Sequence, residues 1–246
     1  MLIKVVGAQF GFDGAFWFQA ILLLIGAGFL TRVDVPAHEH VRDRRPVLAE
    51  TSEAVRHILD DKHLTTLFAL LFTASFTINP AVMVTVQALV KNEFGRGADD
   101  AAFPFAAMGA GIAVSSFFLM RKGEMANKGA VFQRAMMVGT AVTFSTGLAP
   151  QFWQVIALGG VMGLAGGFFI NMNQGLIQSN TPPEMMGRVM GLYALVSGGL
   201  TPFGALALGF LGQGVGNGAA ISLVSALAFS IVLTIFLRGK AIREIS

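Results

Sequence analysis

Seven mostly apolar stretches, each near the length needed to cross a bilayer, constrain this chain more than any other feature. A hydrocarbon core ~30 Å thick takes about 20 residues of helix at ~1.5 Å rise each. The stretches are Ala15–Thr31, Leu64–Val90, Phe103–Met120, Ala130–Ala149, Phe152–Ile177, Val189–Leu211 and Ala219–Leu237. They predict an all-α integral membrane protein with about seven transmembrane helices. The first is short. The second is long and holds Pro80, whose missing N–H predicts a kink. Charged residues make up 13% of the chain, against about 25% in soluble domains, which argues against a soluble reading. Lys4 and the apolar residues after it imitate a signal peptide, but the interruption Gln9–Gly14 argues against one.

The connecting segments give the expected orientation. Arg32, Arg42, Arg44, Arg45, Arg56 and Lys62 precede the second stretch. Arg121, Lys122, Lys128 and Arg134 lie two connections later, then Arg188, then the tail with Arg238, Lys240 and Arg243. Only Lys4, Lys91 and Arg96 fall elsewhere. Cationic loops stay in the cytoplasm, so the Arg32–His63 segment and the C-terminus are expected there. Trp17 and Trp153 fall at the opposite ends, where interfacial aromatics belong. The net charge of +3 therefore reads as topology, not as a nucleic-acid surface. From Pro46 to His63, apolar residues spaced among charges predict an amphipathic helix lying at the membrane interface.

Several functions are disfavoured. Cysteine is absent, and the spacing of His38, His40, His57 and His63 matches no zinc signature. No carboxylate, histidine or lysine lies deep in a stretch, and no phosphate-binding loop occurs. No enzyme, cofactor or metal is expected.

Polar residues recur on helical faces instead. Gly160, Gly163, Gly167, Asn171, Gln174 and Gln178 share one face of the fifth stretch. The glycines could seat a neighbouring helix, with the amides bonding across it. Alternatively the amides line an aqueous cavity, the reading favoured by three amides on one stripe. Thr73 and Thr77, Ser75 and Asn79, and Tyr193, Ser197 and Thr201 step by four, and packing is the default reading for each. Further on, Thr181-Pro182-Pro183-Glu184 fits a capping box, followed by Gly187 and Arg188. It predicts a tight cytoplasmic hinge, with Arg188 reaching headgroups or Glu184.

The run Gln178–Tyr193 resembles the loop between helices ten and eleven of major facilitator superfamily transporters. It is most similar to a bacterial exporter group that includes the enterobactin exporter, sometimes called transmembrane secretion effectors. Gly199-Leu-Thr-Pro202-Phe-Gly204-Ala-Leu206 also fits that group, and Gly14–Ala20 resembles the entry to helix six. The resemblance implies a C-terminal six-helix bundle over 64–246, an inter-half loop over 32–63, and over 1–31 the end of helix five and helix six. An N-terminal half of about five further helices would then be missing. It also implies secondary transport across the bacterial inner membrane, with efflux of small organic molecules such as drugs or siderophores. On its mapping, helices seven, eight, ten and eleven line the substrate cavity, and Asn79, Asn171, Gln174 and Tyr193 are substrate-binding candidates. The conformational hinge falls on Thr181, Pro182, Glu184, Gly187 and Arg188. One departure is Gly123–Gly129, which lacks the family's loop acid, so a charge-relay latch is not expected there. The competing reading is a non-transporting half-bundle that oligomerises as an interaction protein.

Overall fold

The computed structural model describes residues 17–29, 47–122 and 128–238. Expectations for Met1–Gln9, for His38 and His40, for 123–127 of the Gly123–Gly129 segment, and for Lys240 and Arg243 lie outside them. Among the described residues all regular structure is helical. The chain divides into two compact units, Met1–Arg45 and Pro46–Ser246. The first contains the short apolar helix α1, Trp17–Phe29.

The second unit begins with α2, Val47–Asp60, and continues through the helical stretch α3, Lys62–Asn92. Asp61 separates them for a local reason. Its carboxylate accepts from the N–H groups of His63 at 2.7 Å and Leu64 at 3.1 Å, capping α3. Then come α4 (Ala102–Lys122), α5 (Lys128–Gly147), α6 (Phe152–Ser179), α7 (Met186–Gly199), α8 (Thr201–Val215) and α9 (Asn217–Arg238).

Five described helices or helical runs are long and apolar enough to cross a membrane: Lys62–Asn92, Asp99–Lys122, Phe152–Ser179, Met186–Val215 and Asn217–Leu237. The predicted fourth span is present as α5, 20 residues long, but Gln133, Arg134 and its threonines dilute its apolar character. That polarity is largely internal, because Gln133, Thr140, Thr143 and Thr146 are buried. The three threonines donate to carbonyls of their own helix at 2.8–3.1 Å.

Two backbone irregularities matter. The kink expected at Pro80 takes the form of two π-helical turns, Ala74–Ile78 and Ala81–Thr85. Proline cannot donate to the helix and its ring crowds the preceding turn. The ladder widens around it, with Asn79 N–H reaching Ala74 O and Val86 N–H reaching Ala81 O. The sixth predicted span, read as one run, is two helices that meet at Leu200. Pro202 lies in the first turn of α8, where its missing N–H costs nothing.

The core is built on α3, α5, α6, α7 and α9, around Leu67, Leu70, Phe132, Met136, Leu176, Ile177, Val189 and Val232. The tightest helix pair is α4 with α6, where backbones nearly touch. A Cβ at Gly163 would overlap the backbone of Met108, and one at Gly111 would overlap that of Gly160 and Leu164. At the other end of the bundle, Glu93 accepts the Gly218 N–H at 2.8 Å and so caps α9. The turn before that cap needs glycine, since Gly216 has φ 85°.

Candidate functional site

Beside Pro80 the bundle does not close. A half-enclosed cleft of about 260 Å³ lies among α3, α5, α6 and α7. Its apolar lining includes Ile78, Met136, Met162 and Phe169, with the small residues Gly139, Ala165 and Gly166 making room. Ser75, Asn79, Tyr193 and Ser197 supply its polar side chains. None of its lining residues is Asp, Glu, Lys, Arg or His.

The widened turns explain why this part of α3 is polar. Thr73 and Thr77 are buried and donate to the carbonyls of Ala69 and Thr73, four residues back. Ser75 does not follow them. It is 1% exposed, and its hydroxyl makes no hydrogen bond within the protein. Asn79 is exposed at the edge of the cleft. Across it, Ser197 donates to Ala194 O at 3.2 Å. Thr201 donates to Ser75 O at 3.4 Å and so ties the α7–α8 break to the π turn. Gly204 completes this seat, because a Cβ there would overlap the Phe76 carbonyl and lie 2.6 Å from the Pro80 ring. On the far wall Phe169 stacks on Phe132 at 5.3 Å, and the Thr143 hydroxyl oxygen lies 3.7 Å from the Met162 sulfur.

The structure thus brings Asn79 and Tyr193 into one cleft. Asn171 and Gln174 lie outside it, exposed on another face of α6. Asn171 donates to Gly167 O at 2.7 Å and to the Ser116 hydroxyl of α4 at 3.3 Å. The stripe on α6 is therefore divided. Its glycines seat α4 and Asn171 bonds across to that helix, as the packing reading has it, while all three amides remain exposed. Sequence reasoning left Ser75 and Ser197 to packing. Their four-residue steps to Asn79 and Tyr193 were the available signal. Asn173, not singled out before, is fully buried and donates to Leu67 O at 3.4 Å. The fourth predicted span, α5, lines the cleft, and the third, α4, does not.

The Thr181–Arg188 loop is built differently from expectation. No capping box forms. Thr181 is buried and donates back to Ile177 O at 2.6 Å, closing the end of α6. The helix that follows begins at Met186, without a side-chain cap, after the turn Pro182–Met185. Glu184 and Gly187 are exposed. Arg188 does not pair with Glu184. It reaches α2, with Glu53 at 2.9 Å and Glu50 at 3.6 Å. The amphipathic helix is present as expected, but part of its apolar face turns to the protein. Ala54 and Ile58 are buried while Val55 and Leu59 are exposed. The guanidinium held between two carboxylates tethers α2 to α7.

Among the described residues no group of His, Asp or Glu is placed to hold a metal. The family model described as Major Facilitator Superfamily matches residues 1–204. No curated protein matches the chain significantly.

Proposed function

This chain belongs to the Major Facilitator Superfamily of membrane transporters, and we propose that it forms one wall of an exporter of small organic molecules. It works there against a second helical bundle. The observation that carries this reading is the cleft at Pro80, a polar-edged space left open within the helical bundle. Polar groups at membrane depth are costly and mark pathways. Asn79 and Tyr193 contact substrate in the cleft. The exposed amides Asn171 and Gln174 face the second bundle across the central pathway.

In this reading 64–246 is the transporting bundle and 32–63 the cytoplasmic connection, with 1–31 belonging to the other half. The bilayer is a bacterial inner membrane and the C-terminus is cytoplasmic. Kinship with the siderophore-exporter group rests on the Gln178–Tyr193 loop. The loop Thr181–Arg188 is the hinge, steadied by α2 through Arg188.

The test is efflux of a panel of dyes and drugs from cells expressing the protein with its partner bundle. Asn171→Leu with Gln174→Leu should abolish efflux while surface expression stays normal. Full efflux in the double variant would sink the assignment of the α6 amides.

A further inference from the structure

We propose that the cleft beside Pro80 is a binding pocket internal to this bundle, specific for uncharged aromatic molecules that carry one hydrogen-bonding group, with Ser75 as the buried anchor. The inference rests on the transporter reading and assigns the chemistry of its ligand.

The hydroxyl comes first. A buried hydroxyl without a partner is rare, because leaving it unmade forfeits the desolvation cost. Serine in a helix ordinarily bonds the carbonyl four residues back, as Thr73, Thr77, Thr140, Thr143 and Thr146 do here. Ser75 lies between two of those threonines, in the first π turn, and stays unbonded. It is also a lining residue of the cleft. A ligand donor or acceptor would satisfy it.

The remaining lining sets the shape and the charge. The Phe169 and Tyr193 rings with the Met136 and Met162 thioethers form a polarisable surface suited to a flat aromatic body. Gly166 leaves the floor open, since a Cβ there would meet nothing within 4 Å. A volume of about 260 Å³ falls just below the usual ligand-pocket range of ~300–1,000 Å³, so the body is small. With no ionisable Asp, Glu, Lys, Arg or His in the lining, an anion would enter without a counter-charge. A carboxylate or catecholate ligand is therefore rejected, and a neutral phenol-like one is accepted. Because the pocket takes residues from α5, it lies inside this bundle and does not depend on a second bundle to close it.

The test uses the full chain in nanodiscs with two probes of one ring system, neutral 2-naphthol and anionic 2-naphthalenesulfonate at pH 7. Equilibrium dialysis against empty nanodiscs removes lipid partition. Naphthol should bind saturably and at least tenfold tighter than the sulfonate. Ser75→Ala should weaken naphthol about fivefold, the loss of one hydrogen bond. Gly166→Leu, which fills the floor, should weaken it at least tenfold, with the thermal melt of both variants unchanged. Equal binding of the two probes, or naphthol binding insensitive to Gly166→Leu in a folded variant, overturns the pocket. Efflux of naphthol-sized neutral compounds separates the two readings. Saturable, Gly166-sensitive binding without efflux by the assembled protein leaves the pocket and removes the transport reading. Efflux untouched by Gly166→Leu and Ser75→Ala leaves transport and removes the pocket.

Discussion

Gly163 and Gly166 stand three residues apart on α6 and do opposite things. At Gly163 the missing Cβ admits the backbone of Met108, so α4 and α6 come to backbone contact there. At Gly166 nothing lies within 4 Å of the missing Cβ, and the space is the floor of the cleft. Lipid gives helices no hydrophobic reason to associate, so close backbone contact supplies dispersion and weak polar attraction instead. One helix therefore uses glycine twice, once to glue and once to leave room. Small size alone does not say which, because the outcome depends on what the opposite helix brings.

The largest test of this difference is a matched pair. Gly163→Leu drives a side chain into main chain that cannot swing aside. Overpacking costs about 1–3 kcal/mol where neighbours can shift, and more here. The variant should lose its monodisperse peak in detergent size-exclusion chromatography. Gly166→Leu should keep that peak and melt within a few degrees of the parent, helped by the better helix propensity of leucine, about 1 kcal/mol. If the two variants lose stability equally, the contrast is wrong.

A middle-sized effect sharpens it just past the C-terminal end of α3, where the Glu93 side chain holds the start of α9. Glu93→Ala removes the cap on α9, worth about 1 kcal/mol by analogy with other helix caps. Hydrogen exchange at the Gly218 amide should accelerate, while amides around Gly163 stay protected. Unchanged exchange at Gly218 would mean the Glu93 contact holds nothing in solution.

The smallest effect falls on the surface. Arg188, Glu50 and Glu53 are each roughly a third to a half exposed, so their pairing contributes under about 1 kcal/mol. Arg188→Ala should barely move the melt. Exchange across Val47–Asp60 should nonetheless rise several-fold, as α2 loses its tether to α7. No rise would assign the docking of α2 to Ala54 and Ile58 alone.

Much of this architecture was legible beforehand. Leu64–Val90 and Phe152–Ile177 could be bounded to within a few residues, and the Pro80 distortion could be placed, because a proline has one way to disturb a helix. The amphipathic character of 47–60 was also readable. The partner of Arg188 was not. Glu184 is near in sequence, but Glu50 and Glu53 are near only after α2 folds back across the bundle. Thr181 misled for a related reason. Its spacing to Glu184 fits a box, yet the hydroxyl found the closer carbonyl of Ile177. In the cleft, Asn79 and Tyr193 came forward only through the family resemblance, since their four-residue steps read as packing. Ser75 was hidden because a serine in a helix normally satisfies itself.

The sequence by itself determined that this chain is a helical membrane protein and where most of its spans run. Those properties follow from local rules: apolar length, obligatory backbone bonding in lipid, and the distribution of charge. Only the tertiary structure decided which glycines touch backbone and which border empty space, and which hydroxyl is left without a partner. Those depend on the rotation and depth of each helix against its neighbours, set by many small contacts far apart in sequence.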